Sequence, residues 1–163
     1  MRTDIKFKRE VGTMNNEHKT IAKYSSIYLR VALAVAYLSS VASRFGLWGQ
    51  DNGWGNFENY LAYTAMRNPF LPPSLIPPLS WFVTFAETAL AVFLNIGFRI
   101  HITAFLSGIM LIFFAIGMAI GEGAKSPFDY SVYTASAASF MLATSHENFL
   151  SVDALRKDEL AKS

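Results

Sequence analysis

The feature that most constrains this chain is the run from residue 79 to residue 120, "LSWFVTFAETALAVFLNIGFRIHITAFLSGIMLIFFAIGMAI". A bilayer's hydrocarbon core is about 30 Å thick and takes about 20 apolar residues per helix. The run is therefore long enough for two crossings, and "NIGFRIH" between them has room only for a sharp reversal, with Gly97 to turn the chain. It reads as a transmembrane helical hairpin, with Glu87 standing inside its first arm.

Two further segments extend the pattern. Residues 25–45 ("SSIYLRVALAVAYLSSVASRF") form an apolar stretch interrupted by Arg30, and residues 128–145 ("FDYSVYTASAASFMLATS") a shorter, more polar one with no charge after Asp129. Spans are thus expected at about 25–45, 79–97, 100–120 and 128–145. The fold class is an all-α integral membrane protein, a four-transmembrane-helix up-down bundle, since the later connections are short. A composition 52% hydrophobic and 15% aromatic leans the same way.

Arg2, Lys6, Lys8, Arg9, Lys19, Lys23, Arg99, Arg156, Lys157 and Lys162 fall on one side of these spans, and Arg44, Arg67 and Lys125 on the other. By the positive-inside rule the N- and C-termini are cytoplasmic. Residues 1–24 read as a basic cytoplasmic tail, partly disordered or lying on the inner surface, residues 25–147 as the membrane domain, and residues 148–163 as a C-terminal tail. A cleaved signal peptide ending at "LSSVAS" is disfavoured by the long charged region before it and by Arg30.

The outer loop, 46–78, opens with the turn-rich "GLWGQDNGWGN" and closes with "NPFLPPSLIPP", whose prolines forbid a regular helix. Between them "FENYLAYTAMRN" reads as a short helix at the membrane interface or over the bundle. Trp48, Trp54, Trp81 and Tyr130 suit an interfacial aromatic belt. Helix packing is expected through small residues: Ala32, Ala36 and Ser40 in the first span, Gly117 and Gly121 in the third, and Ser131, Ala135, Ser139 and Ala143 in the fourth. Gly117 and Gly121 also offer a route to a homo-oligomer.

An ionisable group at mid-membrane marks a candidate site. Glu87 is expected to be neutral and hydrogen-bonded to hydroxyls at its own level, Tyr37, Thr134 and Ser136, either as a structural clasp or as a proton-handling group. Arg30 is expected to snorkel towards the headgroups, because helical side chains lean towards their own N-terminus. Asp129 is placed to cap the N-terminus of the fourth helix, and Glu122 and Lys125 read as solvated loop charges. His101 and His146 are too weakly supported to suggest haem or a metal. No nucleophile motif, phosphate loop or nucleic-acid footprint is present, and the absence of cysteine excludes thiol chemistry by this chain.

The segments "YLRVALAVAYL", "LIPPLSWFVTFAETALAVFLNIGFR", "DYSVYTASAASFMLA" and "FLSVDAL", in that order, resemble the DoxX family of small bacterial membrane proteins. That resemblance implies a four-helix bundle, multi-pass in a bacterial inner membrane, with polar groups at Arg30, Glu87 and Asp129. It also implies an association with oxidoreductase systems, since relatives include subunits of thiosulfate:quinone oxidoreductase. The functional expectation is an accessory or anchoring subunit of a membrane redox or stress-response complex, with a membrane or peripheral protein partner. A quinone-linked oxidoreductase subunit with Glu87 as proton carrier is the alternative, and a small-solute or lipid-handling transporter a third reading.

Overall fold

A computed structural model describes residues 2–145 and 150–154, with side chains from residue 17 onward. The described residues are helical in six segments: α1 (Arg2–Arg44), α2 (Phe57–Arg67), α3 (Ile76–Ile96), α4 (Ile100–Glu122), α5 (Ser126–Asp129) and α6 (Val132–Thr144), with a 3₁₀ turn at Pro73–Leu75 before α3. Three helices, Glu17–Arg44 within α1, Pro73–Ile96 and α4, are long and apolar enough to cross a membrane; α6 is a shorter apolar helix.

The boundaries of α3 and α4 fall within a few residues of those expected, and the short helix read in the loop between them and α1 is α2. Two elements differ. The N-terminal region is not a separate coil: α1 runs unbroken from Arg2. Its Lys, Arg, Glu and Met residues are good helix formers, and no proline interrupts the continuation from the apolar span. The fourth apolar segment is broken at Ser131, which has φ 55°, so α5 is a single turn and only the 13 residues of α6 continue as helix.

Polar residues fix the rotation of α1. Arg30, Tyr37 and Arg44 are spaced by seven, lie on one face, and are all buried. Lipid would leave three polar groups unpaired on that face, so it turns inward, carrying Ser26, Leu33 and Ala34 with it. Ala32 and Ala36, the expected packing surface, are exposed in consequence.

Helix α3 places Pro77 and Pro78 in its first turn, where backbone N–H groups have no helical partner. Its buried face is Ile76, Ser80, Thr84, Glu87, Ala91 and Leu94. At Gly97, with φ 67°, the chain reverses: Gly97 N–H donates to Leu94 O at 3.2 Å and Phe98 N–H to Phe93 O at 3.0 Å. This is a Schellman ending, and it closes the hairpin read from the sequence.

The closest packing is between α4 and α6, then between α1 and α3. On α4, Gly108 lies under the ring of Phe140, and its carbonyl accepts from Ser136 Oγ at 3.0 Å. Gly121 seats the side chain of Arg67, whereas a Cβ at Gly117 would meet no atom within 4 Å, so no described residue of another helix packs over that side of Gly117. Leu33, Ala34, Tyr37, Leu90, Ala91, Leu94, Ile100, Ala104 and Leu142 form the core. Two ends follow: a loop end, where α1 meets α2, and a hairpin end, at Gly97.

Candidate functional site

At the loop end, Arg44 closes α1 and is only 2% exposed. Its Nη2 lies 2.6 Å from Glu87 Oε2, its Nη1 donates to Thr84 Oγ1 at 2.8 Å, and Nη2 also reaches Ser40 Oγ at 3.2 Å. Thr84 in turn donates to Ser80 O at 2.8 Å. Ser80, Thr84 and Glu87 share one buried face of α3, and two of them, Thr84 and Glu87, present an oxygen to the guanidinium.

The loop after α1 covers this pair. Trp54 N–H donates to Ser43 Oγ at 3.1 Å, and a side chain on Gly53, which has φ 73°, would overlap that hydroxyl, so only glycine lets the loop lie so close. Asn56 caps α2 through Asn59 N–H. Above Arg44, its Cζ sits 4.1 Å from the ring centroid of Tyr60 and 5.6 Å from that of Trp54. Trp54 meets Tyr60 and Tyr63 edge-on at 5.0 and 5.4 Å. The cation therefore has a carboxylate below and aromatic faces above. Burial raises the Tyr60 phenol from its ordinary value, opposed in part by the neighbouring Arg44.

A second pair lies across the same aromatic cover. Arg67, at the end of α2, pairs with Glu122 at the end of α4, and both Tyr63 and Ser126 bond to this pair. Glu122 is thus a partner of a buried arginine and not a freely solvated loop charge.

Of the candidate residues, only Glu87 is in this site. Tyr37 lies deeper: its hydroxyl is 2.8 Å from Ser107 Oγ, which is 3.1 Å from Ser139 Oγ, a chain that ties α1, α4 and α6 together. Ser136 bonds to α4, and Thr134 is exposed. The Tyr37 and Ser136 hydroxyls expected around Glu87 are instead spent on helix–helix contacts, and Arg44 takes their place. Asp129 does not cap α6; it is exposed and bonds Lys125 Nζ at 2.5 and 2.6 Å. Trp48, Trp81 and Tyr130 are exposed as a belt requires, while Trp54 is half-buried against the site.

Arg30 does not snorkel. At the hairpin end its Nε donates to Leu94 O at 2.9 Å and its Nη2 to Asn95 O at 2.8 Å and Leu150 O at 3.1 Å. It neutralises carbonyls that α3 leaves open at its C-terminus. Asp153 does the converse for α4, accepting from Arg99 N and Ile100 N, each at 2.9 Å. His101 Nδ1 is 2.8 Å from Ala143 O. His146 lies outside the described residues, and among those described no group of three or more His, Cys, Asp or Glu is placed to hold a metal ion.

Sequence reasoning passed over Arg44 as a boundary charge and Ser107 as an ordinary span residue. The usable signals were the seven-residue spacing of Arg30, Tyr37 and Arg44 and the matching stripe of Ser80, Thr84 and Glu87.

These features define a helical membrane bundle whose buried charges are paired between helices. Residues 22–127 match the family of the methylamine utilisation protein MauE, well over half of the chain, and the protein belongs to that family. The resemblance to DoxX is corrected accordingly: the matching family is a different membrane family. The first three segments behind that resemblance are rich in apolar residues punctuated by Arg, Tyr and Glu, a pattern that any small bundle with buried polar contacts shares. Neither a curated protein nor a solved structure matches the chain.

Proposed function

We propose that the protein is an accessory or anchoring membrane subunit of a redox system for methylamine utilisation, held in the bacterial inner membrane with both termini cytoplasmic. The observation that carries this reading is the family match over residues 22–127, whose name is that of a methylamine utilisation protein. The arrangement of the buried charges supports it. Glu87 and Arg44 engage one another across α1 and α3, and Arg30 is engaged with carbonyls of α3, so the ionisable groups inside the bundle serve to hold helices together. We read Glu87 as half of a structural ion pair. The orientation rests on the excess of Lys and Arg on the hairpin side.

The test is deletion of the gene in its native host, followed by growth on methylamine and on an unrelated carbon and nitrogen source. Loss of growth on methylamine alone, restored by the wild-type chain, is the expected result. Unchanged growth and unchanged methylamine oxidation in membranes would reject the assignment.

A further inference from the structure

Five buried side-chain atoms have no hydrogen-bond partner among the described residues: Arg44 Nε, Arg67 Nε, Arg67 Nη1, Ser80 Oγ and Glu87 Oε2. All five lie at the loop end. Glu87 Oε2 lies 2.6 Å from Arg44 Nη2 in an ion pair. At the hairpin end, the equally buried Arg30 bonds to three carbonyls. A buried polar group left unpaired carries a desolvation penalty that native proteins rarely leave standing, and the penalty grows where lipid replaces water around the fold.

The chemistry of these atoms restricts what satisfies them. The three nitrogens are donors; the carboxylate oxygen is an acceptor; the serine hydroxyl is both. Each arginine already has a glutamate partner, Arg44 with Glu87 and Arg67 with Glu122, so a charged ligand would arrive with no countercharge. A small neutral molecule that both donates and accepts fits the set, and buried water makes about three such bonds. The two arginines share one roof, since Arg44 lies over Tyr60, Arg67 over Tyr63, and Trp54 packs edge-on against both tyrosines.

We propose that the loop end holds structural water under α2, bound by Arg44, Arg67, Ser80 and Glu87, and that this hydration ends above Tyr37. Below that level Tyr37 belongs to the apolar core with Leu33, Ala34, Leu90, Ala91 and Ala104, and its hydroxyl is already partnered by Ser107. The bundle is thus wet at one end and dry through its centre.

Two tyrosines of nearly equal burial make the test. Tyr60 is 5% exposed and Tyr37 4% exposed, but Tyr60 lies against Arg44, whereas the Tyr37 hydroxyl is already bonded to Ser107. The full chain in lipid nanodiscs is subjected to radiolytic hydroxyl-radical footprinting in ¹⁸O-water, and oxidation is quantified by mass spectrometry. Bound water generates radicals in place, so Tyr60 is expected to take up ¹⁸O several-fold faster than Tyr37, at a rate insensitive to a scavenger in the bulk solution. Equal rates at the two tyrosines would overturn the proposal. So would labelling of Tyr60 that the scavenger abolishes, because that outcome means access from bulk solvent through opening of α2.

Discussion

Arg44 Nη2 and Glu87 Oε2 lie 2.6 Å apart between α1 and α3, each side chain 2% exposed. Breaking such a pair from one side strands a buried charge, which typically costs about 3–5 kcal/mol, whereas replacing both partners with apolar residues is often neutral. Glu87→Ala and Arg44→Met should each lower the thermal unfolding midpoint in nanodiscs markedly. The double variant Arg44→Met/Glu87→Leu should recover much of the loss. A double variant as unstable as the sum of the singles would show that the two residues act independently.

The hydroxyl chain from Tyr37 through Ser107 to Ser139 predicts a coupling of ordinary membrane size. Tyr37→Phe and Ser107→Ala should each destabilise the bundle, with a coupling energy of about 0.6–1.7 kcal/mol in a double-mutant cycle. Thr134→Val, at an exposed position, should leave stability within experimental error. A null coupling between Tyr37 and Ser107 would mean that the 2.8 Å contact contributes nothing measurable.

At the hairpin end, Gly97→Ala has two costs. Its φ of 67° disfavours a Cβ by about 1 kcal/mol, and that Cβ would lie 2.6 Å from Arg30 Nη2 and would overlap Ser151. Shortening the arginine removes one of the clashes. Arg30→Ala should therefore be less harmful in the Gly97→Ala background than in the wild type, as measured by unfolding in the same lipid. Additive effects would contradict this packing.

Tyr60 gives a pH signature outside the spans. Its folded phenol titrates above the ordinary value of 10.0 because burial disfavours the phenolate. Between those two values the unfolded chain binds fewer protons than the folded one, so stability falls as pH rises. The protein should hold full stability below pH 10 with respect to this group and lose it progressively above. Tyr60→Phe should flatten that alkaline decline, as read from unfolding midpoints between neutral pH and pH 11. An unchanged slope would place the alkaline lability elsewhere.

The sequence by itself determined the three long apolar helices, the hairpin reversal at Gly97 and the presence of a buried carboxylate at Glu87. Length, hydropathy and a glycine in the left-handed region are local properties, legible without knowing any neighbour. Which groups meet was decided by rotation and depth in the tertiary structure. Arg44 reads as a boundary charge until α2, Trp54 and the close glycine turns fold over it and remove it from water. Tyr37 and Ser136 read as partners of Glu87 until α6 packs on α4 and draws their hydroxyls to Ser107 and the Gly108 carbonyl. Arg30 reads as a headgroup anchor until Leu94, Asn95 and Leu150 present it with carbonyls. A polar side chain in an apolar helix must find a partner, and the sequence states that requirement. The partner is whichever complementary group the packed bundle brings within about 3 Å, and only the fold supplies that distance.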